Sequence, residues 1–186
     1  MRTLKIIVAS TRPGRVGKPV ADWFLGVAKA HGKLDVSLLD LAEVALPLLD
    51  EPAHPRQRAY QHAHTKAWSA AVDGADAFVI VTPEYNFGAP APLVNALDYL
   101  FHEWAYKPVG FVSYGGASGG VRSVQMIKQL VTTLKMVPLV EAVSIPFVHK
   151  RLNAGAFTGD DALEKSATTL LDELARWADA LAVLRS

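Results

Sequence analysis

The sequence contains no cysteine, no long apolar run and no excess of charge of either sign. Without cysteine, a disulfide framework, a thiolate nucleophile and a cysteine-ligated metal or iron–sulfur site are excluded. Every apolar run is shorter than the roughly 18 residues of a membrane helix, so no contact with a membrane is expected. The 19 basic and 18 acidic side chains give a formal net charge of +1, which argues against nucleic acid as a partner. Any redox chemistry would have to belong to a bound cofactor.

The composition is typical of one compact domain. The 186 residues are 51% hydrophobic and 20% charged, which allows one sizeable core and excludes a disordered chain. No repeat or interdomain linker is visible, so a single domain over residues 1–186 is expected. The first apolar run, residues 4–9, is too short for a signal peptide and is followed closely by Thr11-Arg12-Pro13. A cytoplasmic location is therefore expected.

Short apolar runs alternate along the chain with longer amphipathic stretches. The runs predicted to be strands are residues 4–9, 34–39, 77–82, 108–114 and 137–143. Apolar residues recur at helical spacing in the stretches 20–28, 60–72, 93–104, 127–134 and 163–181. Residues 41–56, with three prolines, are predicted to be mostly loop. Because the strand runs are apolar throughout, they indicate an open parallel sheet with helices on both faces, and ligands of such sheets bind at the carboxyl ends of the strands.

The loop after the first strand, residues 10–17, reads Ser-Thr-Arg-Pro-Gly-Arg-Val-Gly. It precedes a helix, whose free N–H groups and dipole favour an anion, and its arginines offer donors suited to phosphate oxygens. A P-loop is excluded, because Pro19 stands at its Ser/Thr position and Arg12 at its first glycine. The dinucleotide fingerprint is also missing. The alternatives are a mononucleotide phosphate site, which position and composition favour, and a capped turn with solvent-facing arginines.

A second loop, residues 82–90, follows the most apolar strand and carries two aromatic residues, a carboxylate and an amide. Its prolines and glycine fix the path of the backbone. Such a loop is suited to border a planar ring, with an ordinary strand–helix connection as the alternative.

A third loop, residues 113–120, contains four glycines within six positions. Glycine allows the backbone to approach a ligand closely, although a flexible turn is the alternative. Ser118 is predicted to be the N-cap of the following helix.

Several other residues receive structural interpretations. Glu84 is interpreted as a partner for arginine or a backbone N–H rather than as a catalytic acid. The acidic pair at 160–161 is interpreted as the capped start of the last helix. His62 and His64 are two positions apart, a spacing that faces different sides of a helix, so no metal site is expected there.

In their order and spacing, the segments 9–15, 82–86, 95–98, 102–104 and 112–120 resemble the NADPH-dependent FMN reductase family of flavodoxin-like flavoproteins. One departure is Val94, where many members carry lysine. The resemblance implies an α/β fold, a flavodoxin-like three-layer sandwich. Its five-stranded parallel sheet would have the strand order 2-1-3-4-5, with FMN at the switch point.

The resemblance also implies roles for residues of all three loops. Those implied to hold the FMN phosphate or lie close to it are Ser10, Arg12, Arg15, Val16 and Gly17. Those implied to line the isoalloxazine ring are Pro83, Glu84, Tyr85 and Asn86. Those implied to approach its pyrimidine edge are Gly115, Gly116, Ser118 and Gly119. No catalytic side chain is expected, because in such enzymes the cofactors carry the chemistry.

By the same resemblance, the chain is expected to pass hydride from NADPH or NADH through bound FMN to a small acceptor. Candidate acceptors are a quinone, free flavin, an azo compound or a metal ion. A homodimer or homotetramer is implied, with residues 93–104 at an interface and a partner chain helping to form the flavin site. The alternatives are a flavodoxin-like FMN electron carrier, which the neutral net charge disfavours, and a nucleotide-binding module without redox work.

Overall fold

The computed structural model describes residues 1–185, which form a sheet with helices on both faces. The strands are β1 (Arg2–Val8), β2 (Leu34–Asp40), β3 (Ala77–Pro83), β4 (Pro108–Tyr114), β5 (Val137–Ile145), β6 (Leu152–Asn153) and β7 (Ala156–Phe157). The α-helices are α1 (Gly17–His31), α2 (Leu41–Val44), α3 (Ala63–Asp73), α4 (Ala91–Asp98), α5 (Val121–Thr133) and α6 (Asp161–Leu181). Short 3₁₀ turns cover Pro55–Gln57, His102–Trp104, Val148–Arg151 and Ala182–Leu184.

The main sheet has the order β2-β1-β3-β4-β5, and all its strand pairs are parallel. This confirms the predicted fold class and strand order. Ile6 in β1 pairs with Leu38 on one side and Val79 on the other, which fixes the register of the first three strands. Because the carboxyl ends of parallel strands lie at one edge, the loops after β1, β3 and β4 meet there.

The apolar strands are covered on both faces, as their composition predicts. Val79 and Val81 of β3 belong to the core beneath α1 and α6, whereas Phe78 and Ile80 belong to the core beneath α3, α4 and α5. This alternation follows from the period of two residues in a strand. Gly110 in β4 is required for the fit, because a Cβ there would lie 2.5 Å from Leu170 of α6.

The boundaries of several elements differ from the predictions for physical reasons. The stretch 93–104 is not one helix, because α4 ends at Asp98 and Trp104 sits in a separate 3₁₀ turn. The Trp104 indole packs edge-on against Trp68 and Phe78 and is fully buried. The predicted loop 41–56 contains the one-turn helix α2, whose N-cap Asp40 accepts a hydrogen bond from the N–H of residue 42.

The stretch predicted as a helix over 60–72 begins later, at Ala63. His62 is the extended residue before it, so the expectation that His62 and His64 face apart is wrong. Their rings stack with centroids 5.2 Å apart and planes 10° apart. The prediction for residues 160–161 is confirmed, since the Asp160 carboxylate caps α6 by accepting from the N–H of Leu163.

The β6–β7 hairpin before α6 was not predicted, because its two-residue strands are too short to show a pattern. Within residues 1–185, none of the helices combines the length and the apolar character needed to cross a membrane.

Candidate functional site

Four segments meet at the carboxyl edge of the sheet around a cavity of about 270 Å³. They are the loops after β1, β3 and β4 and the 3₁₀ turn after β5. The lining residues are Arg12, Gly14, Arg15, Val16, Pro83, Glu84, Tyr85, Tyr114, Gly115, Gly116, Val148 and His149. The topology thus brings together the three loops that the sequence singled out. The other predicted site residues belong to the same loops without lining the cavity: Ser10, Gly17, Asn86, Ser118 and Gly119.

The two arginines of the first loop differ in their surroundings. Arg15 donates from Nη2 to Asp40 Oδ2 at 2.6 Å and from Nη1 to the Ser10 carbonyl at 2.7 Å, and Nη1 also contacts Asp40 Oδ1. The Asp40 side chain is only 2% exposed. Hydrogen bonding to this carboxylate raises the pKa of Arg15. Arg15 is therefore a cross-link between the first loop and the end of β2, and its role toward a phosphate stays a prediction.

Arg12, in contrast, is exposed and lines the cavity. Within residues 1–185, its guanidinium takes part in no hydrogen bond and no ion pair. It lies in the loop that leads into α1, whose N-cap Val16 provides no side-chain cap. The first N–H groups of a helix lack intrahelical acceptors. The loop therefore offers one available cation and an uncapped helix N-terminus, a donor set that fits a phosphate.

Ser10 and Gly17 belong to the supporting structure of this loop. The Ser10 side chain is buried, and its Oγ lies 2.8 Å from the Tyr85 hydroxyl, which joins the first loop to the second. Gly17 allows Tyr114 to approach, because a Cβ at position 17 would lie 2.5 Å from the Tyr114 hydroxyl oxygen. Burial raises the pKa of Tyr114, so this phenol stays protonated.

The second loop is a tight two-residue hairpin. The N–H of Tyr85 donates to the Gly88 carbonyl at 3.0 Å, and the N–H of Gly88 donates back at 2.9 Å. Asn86 and Phe87, the two central residues, both have left-handed backbones, with φ of 50° and 69°. Positive φ at both central positions is the geometry of a type I′ turn.

Glu84 connects the second loop to the third loop and to α5. Its side chain is 7% exposed, and it accepts hydrogen bonds from Ser118 Oγ at 3.1 Å and from Arg122 Nε at 2.6 Å. The backbone N–H of Arg122 donates to it as well, at 3.2 Å. Burial alone would raise the pKa of Glu84, but the hydrogen bonds from Arg122 and Ser118 outweigh it and lower that pKa. The interpretation of Glu84 as a partner for arginine and a backbone N–H is confirmed.

Ser118 is not the helix cap that the sequence predicts. The N-cap of α5 is Gly120, which has a left-handed backbone and no side chain. The Ser118 hydroxyl donates to Glu84 instead, and the Glu84 carboxylate itself caps the first turn at Arg122. The predicted cap is wrong because a carboxylate from another loop, invisible in the local sequence, takes that place.

The glycines of the third loop have two different tasks. At Gly120 a Cβ would lie 2.8 Å from the backbone N and O of Tyr114, so glycine is needed for the loop to fold back. At Gly116 a Cβ would meet nothing within 4 Å. Gly116 therefore leaves open space beside the cavity, where a ligand can approach the backbone closely.

Sequence reasoning missed Arg122, Tyr114, Val148 and His149. Val148 and His149 reach the cavity because the N–H groups of Phe147 and Val148 donate to the carbonyls of Gly116 and Gly115. No motif marks that segment. Arg122 lies two residues beyond the last residue of the glycine-rich loop, so the sequence places it in the first turn of the following helix. That position is the signal that could have found it. Across residues 1–185, no group of three or more His, Cys, Asp or Glu side chains is placed to hold a metal ion.

Comparison with known proteins identifies the family of the chain. The sequence model of the family described as NADPH-dependent FMN reductase matches residues 1–150. The chain is 41% identical over 145 residues to an NAD(P)H-dependent FMN reductase of Schizosaccharomyces pombe, covering 76% of this chain and 72% of that protein. It is 37% identical over 142 residues to the NAD(P)H-dependent FMN reductase LOT6 of Saccharomyces cerevisiae, covering 70% and 74%.

Among solved structures, the fold is similar to that of FerB, a flavoenzyme NAD(P)H:(acceptor) oxidoreductase from Paracoccus denitrificans. The TM-score is 0.76 at 20% identity, with 97% of this chain and 98% of that chain covered. At this identity the likeness concerns the fold alone.

Proposed function

Since the chain belongs to the NADPH-dependent FMN reductase family, and is an oxidoreductase that depends on NAD(P)H and FMN, we propose that the cavity described above holds the FMN. We further propose that the acceptor is a small molecule such as a quinone, free flavin, an azo compound or a metal ion. For a quinone, NAD(P)H, one proton and the quinone give NAD(P)⁺ and the hydroquinone. The reductase activity of the family favours this function over that of an electron carrier.

The observation that carries the proposal is the difference between the two loop arginines. FMN supplies a ring that takes hydride from NAD(P)H and passes two electrons on, so the protein's task is to hold it. Arg15 is already neutralised by Asp40, whereas Arg12 is exposed, has no acidic partner within residues 1–185 and lines the cavity. Arg12 and the first N–H groups of α1 would therefore hold the phosphate.

The second and third loops would hold the ring system. Pro83 and Tyr85 would line the ring, and the backbone of Gly115 and Gly116 would approach its pyrimidine edge. These loops are kept in place by the hydroxyl contact between Ser10 and Tyr85 and by the Glu84–Arg122 ion pair. Because Arg122 and Ser118 keep Glu84 ionised, this carboxylate positions the loops and donates no proton.

The chain is further proposed to act in the cytoplasm as a homodimer or homotetramer in which a partner chain helps to form the flavin site. The support for this assembly is the family resemblance described above, which implies an interface at residues 93–104. Sedimentation velocity of the FMN-loaded protein tests it, and a monomer with full activity would contradict it.

The direct test is spectroscopic. The purified protein is mixed with FMN, freed of excess cofactor and examined for a flavin absorption band. NADPH or NADH is then added without oxygen, with protein-free FMN as the control. Bleaching within seconds, and recovery of the band when a quinone is added, are expected. A chain that retains no FMN, or a bound flavin that neither nucleotide bleaches, would refute the proposed function.

A further inference from the structure

Phe87, at the tip of the second loop, combines a strained backbone with an exposed aromatic ring. Its φ of 69° lies in the left-handed region, which a bulky residue adopts only at a cost. The second central position of a type I′ turn is where glycine is preferred. Burial does not offset the cost, because Phe87 is 67% exposed. Neither turn formation nor core packing accounts for phenylalanine here, and strain of this kind is concentrated at functional sites.

One face of the ring nevertheless contacts a side chain of α5. The Arg122 guanidinium carbon lies 3.8 Å from the centroid of the Phe87 ring. Arg122 in turn is bound to Glu84, whose carboxylate is buried and also accepts from Ser118. The guanidinium therefore cannot leave the ring without giving up its bonds to that carboxylate. One face of Phe87 rests on Arg122, and much of the rest of the ring is open to solvent.

Phe87 is not one of the residues that line the cavity, but it belongs to the same loop as two that do. Glu84 and Tyr85, on the same loop, line the cavity. On the far side of the turn, a Cβ at Gly88 would lie 3.3 Å from the Met126 sulfur of α5, so the hairpin rests on that helix. The open face of Phe87 is thus a flat, apolar surface on the loop that is proposed to border the flavin ring.

We propose that the open face of Phe87 is the stacking surface for a planar aromatic acceptor, a quinone in particular, and that Phe87 sets the preference for such acceptors. This inference rests on the proposed function. A quinone is flat and apolar and has few polar groups, so a stacking contact contributes a large share of its binding free energy. NAD(P)H presents phosphates, riboses and an adenine as well, so the same contact is a small share of its binding.

The test replaces Phe87 in the FMN-loaded protein. Phe87→Gly removes the ring and relieves the left-handed backbone, so the thermal midpoint of the apo-protein is not lowered. The KM for a planar naphthoquinone is expected to rise about threefold to tenfold, which corresponds to the value of one aromatic pair. The KM for ferricyanide, which has no planar ring, and the KM for NADPH are expected to change less than twofold, as is the Kd for FMN. Phe87→Trp keeps an aromatic ring at this position, and its quinone KM should stay low.

Trp177→Ala is the matched control, because Trp177 is a partly exposed aromatic residue on α6, outside the loops that surround the cavity. It should leave all these constants unchanged. An unchanged quinone KM in Phe87→Gly would overturn the inference, as would an equal rise for quinone, ferricyanide and NADPH. A change of oligomeric state in Phe87→Gly would overturn it too, since Phe87 would then belong to an interface between copies of the chain. Failure of the wild-type protein to bind FMN or turn over any acceptor would instead refute the proposed function.

Discussion

Replacing Arg12 and Arg15 one at a time should separate cofactor binding from folding, because the two guanidinium groups have different partners. In Arg12→Ala the lost interaction is the charge-assisted contact with the FMN phosphate, worth about 1.5–3 kcal/mol. The Kd for FMN should therefore rise about 10- to 150-fold. Riboflavin has no phosphate, so its Kd should change less than twofold. The apo-protein should keep its stability, since the Arg12 side chain is exposed.

Arg15→Met should lower the stability of the apo-protein without changing its selectivity for FMN over riboflavin. It leaves the Asp40 carboxylate, 2% exposed, without its counter-charge. Stranding a buried charge costs about 3–5 kcal/mol, which corresponds to a fall of about 6–20 °C in the thermal midpoint of a chain this size. The double variant Arg15→Met/Asp40→Asn removes both charges and should recover most of that loss. Any weakening of flavin binding should affect FMN and riboflavin alike.

The assays are fluorescence titrations of apo-protein with FMN and with riboflavin, together with thermal unfolding followed by circular dichroism. An equal loss of affinity for both flavins in Arg12→Ala would show that Arg12 does not bind the phosphate. If Arg15→Met kept the thermal midpoint while losing selectivity for FMN over riboflavin, the phosphate would lie on Arg15 instead.

Three further predictions concern other parts of the structure. Gly120→Ala places a Cβ 2.8 Å from backbone atoms and should lower the thermal midpoint of the apo-protein. Gly116→Ala should keep the midpoint and weaken FMN binding. Equal midpoints in the two variants would contradict the different tasks of these glycines. Burial lowers the pKa of Lys107 to about 8, so between about pH 8 and about pH 10.4 the unfolded chain binds more protons than the folded chain. The free energy of unfolding should therefore rise over this range by roughly 1.4 kcal/mol per unit of pKa difference, and urea titrations should find this rise absent in Lys107→Met. Because the pKa of Glu84 is lowered, the stabilisation by Glu84 is present above the ordinary carboxyl pKa and is lost as the pH falls through the lowered pKa. Glu84→Gln should therefore be less stable than wild type at neutral pH, and the two curves of unfolding free energy against pH should converge in acid. A constant gap between the curves would contradict the ion pair with Arg122.

The sheet could be predicted because its signal is local. Strands β3 and β4 are apolar at nearly every position and buried at every position, so the runs themselves mark them. The end of the stretch 93–104 could not be predicted by the same means. Its apolar spacing continues to Trp104, but Trp104 lies in a separate turn and packs against Trp68 and Phe78, which are far away in sequence.

The location of the candidate site could be predicted as well, since a parallel sheet brings its loops to one edge. The separate tasks of its residues could not. Arg12 and Arg15 are equivalent in the local sequence, and the charged partner that distinguishes them, Asp40, lies 25 residues beyond Arg15. In the same way, Ser118 has the spacing of a helix cap, and only the carboxylate of Glu84 displaces it.

The Glu84–Arg122 ion pair also bears on how this chain can be recombined with its relatives. A carboxylate that follows one strand caps the helix that follows the next strand, 38 positions later. The two strand–helix units are therefore not interchangeable modules. In a chimera whose crossover point falls between residues 84 and 122, the helix receives a foreign partner, and the hairpin that displays Phe87 loses its support. Parents that differ at these positions should give more stable chimeras when both residues come from the same parent.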